Sequence, residues 1–247
     1  MCVRIYLVEN DNLVKNFNLA KLDDIVEFRL KYLDQVGSNL SPEQTQLIIY
    51  EDIDVKVNRM EVAKWGLVPS FSKSIDTGFN MNNTRIESIV EKPYFKRLLH
   101  NNRCLIPING YYEWNGEKGS KQPHAIQAVN SKMLYLAGLY DIWMPANGDE
   151  ILSFSIITKQ ADDVLSSIHP RMPIIMNLET AQEWIKSGQD KKLLDEKIVV
   201  LSQSTDFVSE QMKLNISTIE VDKSLNNPSN EKFRIQEFLN EFLTKNN

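Results

Sequence analysis

Cys2 follows Met1 directly and is one of only two cysteines in the 247 residues, the other being Cys104. Initiator methionine is normally removed when the next residue is small, and removal here leaves Cys2 with a thiol and a free α-amine on neighbouring carbons. The α-amine has a reference pKa of about 8, far below that of lysine, so a usable fraction is neutral and nucleophilic near neutral pH. Such a 1,2-aminothiol condenses with an aldehyde to an imine, which the thiol then closes to a five-membered thiazolidine. Neither a chain-internal cysteine nor an N-terminal alanine can do this. The same terminus could also attack an amide as an N-terminal nucleophile. The alternative is a small residue that merely enters a strand. Cys104, within RCLIPI, is flanked by apolar strand residues and reads as buried and inert.

Other residues have the right chemistry in less decisive settings. His169 stands between the strand-like ILSFSIIT and the segment PRMPIIM; it could transfer protons at neutral pH or satisfy backbone groups at a turn. Glu113 in GYYEW alternates with Tyr112 and Trp114, so it either faces water or is buried and functional. NMNNTRIES packs Asn80, Asn82, Asn83, Arg85 and Glu87 into a short polar stretch. Arg4, Arg85 and Arg171 could each hold a phosphate bidentately or form surface ion pairs. Trp65 could stack on a base or pack in the core. Spacing also excludes chemistry: there is no CxxC, HxxxH, nucleophile elbow or strand-to-helix glycine loop, so neither a metal site nor a cofactor is expected.

These residues must be placed by a scaffold that the sequence outlines. VRIYLV at 3–8 suits a strand, and Leu19, Leu22, Ile25, Val26, Leu30 and Leu33 have helical spacing. Strands are expected at Leu47–Tyr50 and within 58–69, and a helix at Lys92–His100 with Pro93 in its first turn. Short apolar runs then follow at Cys104–Ile108, Tyr111–Trp114, Ala125–Val129, Met133–Tyr140, Ile151–Thr158 and Ile198–Leu201. Asn177 can cap a helix through Glu179–Lys186, and Ile235, Phe238, Leu239, Phe242 and Leu243 form a helical stripe. The expected architecture is α+β. It is a single domain over 1–247, with the motifs in 1–185 and a strand and amphipathic helix of 186–247 packing on the same domain.

Composition narrows the setting. Charged residues make up 25% and hydrophobic residues 42% of the chain, as in ordinary globular proteins. No apolar run is long enough to span a membrane and no secretory leader is evident, so a cytoplasmic monomer with free thiols is expected. The net charge of −5 argues against a surface that binds nucleic acid everywhere, yet residues 59–104 hold eight Lys/Arg against four acids.

Singly these signals are weak, but their order is specific. MC-x-R, WGLVPSF, NTRIES, RCLIPINGYYEW, AGLYDIW, SFSIITKQA and IHPRMPII, in that order over about residues 1–185, resemble the SRAP (SOS-response-associated peptidase) family. The resemblance implies a barrel-like core of short, mostly antiparallel strands with flanking helices. It also implies binding to single-stranded DNA containing abasic sites, with a thiazolidine crosslink formed by Cys2 once Met1 is gone and the lesion thereby shielded. On this resemblance Asn83 orients the amine and sugar, Glu113 manages the α-amine proton, and His169 protonates the ring oxygen as the sugar opens. Arg4, Arg85 and Arg171 fall on phosphate-contacting positions and Trp65 on an aromatic that stacks near the lesion. Asn39 and Pro42 correspond to an N-x-x-P loop beside the bound strand. The family usually has glycine where this chain has Val3. β-Elimination at the abasic site is an expected companion activity. The competing expectations are a thiol peptidase or autopeptidase acting through Cys2, and a DNA-binding module without the reaction.

Overall fold

The computed structural model describes residues 4–7, 13–19, 39–76, 81–117, 119–129, 133–146, 148–203 and 216–226. Cys2 and Val3, the helix expected from Leu19 onward and the stripe from Ile235 to Leu243 lie outside these, Leu19 itself excepted.

A closed ring of five strands forms the centre. β2 (Thr45–Asp52) and β3 (Val57–Trp65) are an antiparallel hairpin. β2 also pairs with β5 (Arg103–Ile108), which pairs along its length with β8 (Leu134–Trp143). β8 pairs with β9 (Ile151–Gln160), and β9 returns to β3 through the parallel pairs Lys64–Ser153 and Trp65–Phe154. Each run is rich in β-branched and aromatic residues, and the ring closes over a core that includes Ile48, Ile49, Leu105, Ile106, Leu136, Phe154 and Ile156. Gly138 marks a close approach within the ring. A Cβ there would lie 2.6 Å from Ile106 Cδ1 and 2.9 Å from Cys104 Sγ. Cys104 is fully buried, and that burial pushes its thiol well above the ordinary value, as an inert core cysteine requires.

Beyond the ring, β9 carries two more neighbours. β4 (Asn83–Arg85) continues the parallel pairing where β3 stops, and β10 (Arg171–Pro173) continues the antiparallel side. β11 (Ile175–Met176) pairs with the start of β8. A second sheet has the order β1 (Ile5–Tyr6), β6 (Gly110–Asn115), β7 (Gln122–Ala128) and β12 (Ile216–Glu220), antiparallel throughout. One of its faces joins the main core through Ile5, Tyr111 and Ile126. The other gathers Tyr6, Tyr112, Ala125, Val221 and Leu225 into a satellite core. The described residues thus form an α+β domain dominated by strands.

Helices cover the ring. α1 is Leu13–Phe17 and α2 is Pro93–Asn101, with Pro93 in its first turn as expected. α3 (Leu178–Ile185) starts at Asn177, whose side chain accepts the Thr180 N–H at 2.9 Å. The strand expected at Ile198–Leu201 is instead the end of α4, Lys191–Gln203. The β-branched run misleads. Leu194, Ile198 and Leu201 recur at helical spacing and pack inward, while Val199 and Val200 are exposed, and Asp190 caps the first turn by accepting the Leu193 N–H. Asp195 of α4 tethers α2 through Lys96 and His100, at 2.8 Å each.

Arg103 lies under this layer, only 4% exposed. Its guanidinium donates to Leu99 O and His100 O at the end of α2, and to Trp184 O and Lys186 O at the end of α3. Burial pulls its pKa down to about 10, so it stays charged at neutral pH.

Candidate functional site

The end of β9 assembles the first group of polar residues. Asn83 and Arg85 share one face of β4 while Thr84 turns inward, its Oγ1 2.8 Å from Ser155 Oγ. Arg85 is exposed and lies opposite Thr158 in register. From the far side of β9, Arg171 donates to Thr158 O at 2.7 Å and to Thr158 Oγ1 at 3.3 Å. Its two terminal nitrogens also chelate Glu87, Nη1 to Oε1 at 2.6 Å and Nη2 to Oε2 at 3.1 Å. Partial burial pushes the Glu87 carboxyl upward, but the hydrogen bonds and charges of Arg171, with help from Arg85, outweigh this and hold it below the ordinary carboxylate value.

His169 reaches this group on a turn capped by Asp162. The Asp162 side chain accepts the Leu165 N–H at 3.1 Å, and Leu165 O then accepts the N–H groups of Ile168 and His169. The imidazole Nδ1 lies 3.0 Å from Arg171 N and 3.1 Å from Arg171 O. One residue therefore offers a donor to the neutral ring and an acceptor to the protonated one. Nδ1 thus has a backbone partner whether or not it carries a proton, which fixes the orientation of the ring in both states.

The second group lies on the small sheet. Alternation along β6 puts Tyr111 and Glu113 on the face toward the main core, and Glu113 is 5% exposed. The sequence left open whether this carboxylate faces water; it does not. Its cross-strand neighbour is His124, which in turn faces Glu220. Arg4 lies alongside, its carbonyl accepting the Tyr112 N–H at 2.9 Å. The Arg4 side chain donates to Asn39 Oδ1 at 2.8 Å and lies 5.9 Å from the Trp114 ring centroid. Asn39 is buried and also donates to Leu225 O. Pro42 and Glu43 carry this loop across to the ring, where Glu43 N–H donates to Trp65 O.

Trp65 is not a stacking surface. It is fully buried, nearly parallel to Phe154 with ring centroids 6.2 Å apart, and its Nε1–H donates to Asn82 O at 3.0 Å. Its task is to hold the chain entering Asn83. The exposed aromatic of WGLVPSF is Phe71, 72% exposed, with its edge against Tyr94 at 5.2 Å. The residues on either side of it are pinned: Ser70 N–H donates to Asp141 Oδ2, and Ser72 O accepts Trp143 Nε1–H.

Comparison with known proteins decides the family. The family described as SOS response associated peptidase (SRAP) matches residues 1–228. The chain belongs to the SRAP family. It is 33% identical over 187 residues to the abasic site processing protein YoqW of Bacillus subtilis (strain 168), covering 75% of this chain and 80% of that protein. It is 29% identical over 184 residues to the abasic site processing protein HMCES of Xenopus tropicalis, covering 63% of this chain and 55% of that longer protein. A crystal structure of a protein from Bacteroides thetaiotaomicron has the same fold, with a TM-score of 0.74 at 24% identity over 93% of this chain and 97% of the other.

Among the SRAP site residues expected from the sequence, Asn83, Arg85, His169 and Arg171 gather at the end of β9, whereas on the small sheet the Arg4 and Asn39 side chains meet beside Trp114 and Leu225, and Glu113 turns to the other face. Pro42 lies in the loop between the two groups. Sequence reading missed Phe71 as the exposed ring and Glu87 as the partner of Arg171. The strand alternation of Ala63 and Trp65 about Lys64 already points Trp65 inward, and Phe71 sits among serines after Pro69, in a stretch with no apolar periodicity to bury it.

Proposed function

We propose that this protein binds single-stranded DNA and captures abasic sites covalently through Cys2 after removal of Met1. The observation that carries this is a buried carboxylate, Glu113, on the strand next to the chain start. Arg4 is bonded to Tyr112, and covalent geometry keeps the Cys2 Cα within about 7 Å of the Arg4 Cα. A buried carboxylate needs polar partners, and the α-amine of Cys2 is chemically suited to be one of them. The names of the relatives, abasic site processing proteins, support the same substrate.

His169 gives a proton to the ring oxygen and the C1′ hydroxyl gives up its own to water as the abasic deoxyribose opens to its aldehyde, while Asn83 orients the sugar. Glu113 takes a proton from the Cys2 ammonium, and the free amine adds to C1′. Loss of water gives the imine, the thiol sulfur adds to the same carbon, and its proton passes to nitrogen. The product is a thiazolidine plus water. The imine also acidifies the C2′ proton, which opens β-elimination as a side route. Arg4, Arg85 and Arg171 take phosphates, and Phe71 offers a face to a base.

The deciding experiment is a denaturing gel of the trimmed protein with single strands that carry or lack one abasic site. A band that survives heat and detergent only with the abasic strand supports the proposal; no band sends the search to peptide substrates. His169→Ala is expected to slow crosslinking about 100-fold with strand affinity unchanged; an unchanged rate removes His169 from the acid role. Arg85→Ala is expected to weaken intact and abasic strands alike and to lower the salt slope by about 0.7. An effect confined to the abasic strand contradicts a phosphate contact.

A further inference from the structure

We propose that Glu87 occupies the place of a DNA phosphate on Arg171, so that an incoming strand must displace it, which makes Glu87 a determinant of how strongly the site takes DNA. The inference rests on the function proposed above. A carboxylate and a phosphate present the same pair of oxygens to a guanidinium, and the contact is the forked one, with both terminal nitrogens of Arg171 engaged.

The two partners differ in how firmly they are held. The Arg171 side chain is 17% exposed and stays anchored through Nη2 to Thr158 O and Oγ1 if the acid leaves. The Glu87 side chain is 45% exposed and sits in the short 3₁₀ turn Ile86–Ser88. The cation is therefore already in position, and the carboxylate is the part free to swing away. Arg85, two residues earlier, is exposed on the same side of the exchange. With Glu87 in place this trio carries one net positive charge; with a phosphate in its stead, both arginines face the strand.

A purely structural ion pair predicts the opposite sign. If Glu87 served to hold Arg171 in its binding position, removing the acid would weaken DNA binding. If it competes, removing the acid strengthens binding. The test is the affinity of Glu87→Gln and Glu87→Ala for an intact single strand, read by fluorescence anisotropy across a salt series, with thermal melts showing that each variant is folded. Two substitutions of different shape keep one misfolded variant from deciding the outcome. The expected result is binding about threefold tighter or more at low salt, with a steeper salt slope by about 0.7. Arg171→Ala in the Glu87→Gln background is expected to abolish the gain. Equal or weaker binding by the folded variants overturns the role of Glu87, as does a gain that survives loss of Arg171. If the unsubstituted protein binds no strand and forms no adduct, the proposed function fails and this inference with it. If it binds and the variants gain nothing, only the inference fails.

Discussion

Cys2→Ser protein, with Met1 removed, is expected to bind an abasic single strand as well as the parent and to leave almost no adduct stable to heat and detergent. The loss should be on the order of 100-fold or more. The substitution keeps the α-amine, the size and a hydrogen-bonding atom, so strand recognition by the residues proposed for it should be untouched. The variant loses a sulfur nucleophile able to close a ring on the imine carbon. The imine still forms, and in the absence of ring closure it hydrolyses when the protein is denatured. Borohydride, which reduces imines to stable amines, should therefore restore a crosslinked band for the serine variant. A persistent adduct without reductant would refute the thiazolidine. Failure of borohydride to trap anything would show that the amine is not the first attacking group.

Arg103→Ala is expected to cost about 3 kcal/mol or more, because four carbonyls at the ends of two helices lose a buried charged donor together. For a chain of this size that corresponds to a fall of roughly 10 °C in melting temperature. The ends of α2 and α3 both present the negative pole of their helix dipoles, so the lost interaction is electrostatic as well as geometric. Arg103→Lys keeps the charge but has no planar fork to span two helix ends, and should recover only part of the difference. A melting temperature unchanged by the alanine substitution, or fully restored by lysine, would contradict this account.

Local signals carried most of the strands. β5, β6, β8 and β9 are visible as apolar runs bounded by Gly, Pro, Asn or Asp, and Asn177 announces α3. What joins them is not visible, because ring closure depends on the parallel pairing of Trp65 with Phe154, and no local pattern specifies a partner so far along the chain. The misread run at Ile198–Leu201 shows the limit of β-propensity, where two valines on a solvent face outweighed the inward spacing of Leu194 and Ile198. Site residues were legible by type and order. Their partnerships were not, since Arg171 meets Glu87 only once β4 and β10 have been laid on either side of β9.

The placement of β1 also bears on how the protein matures. Ile5 bridges Leu40, but the sheet partner of β1 comes much later, since Ile5 pairs with Tyr111 and Tyr6 with Gly110, about a hundred residues further on. At about 5–20 residues per second, a ribosome needs roughly 5–20 s to supply them. During that interval β6 cannot hold β1, which favours access of an aminopeptidase to Met1. On the proposed function, late pairing thus orders two events in time, with trimming first and the joining of β1 to the strand that carries Glu113 second. Anything that slows trimming past that window would, on the proposed function, yield protein whose nucleophile is still blocked by methionine.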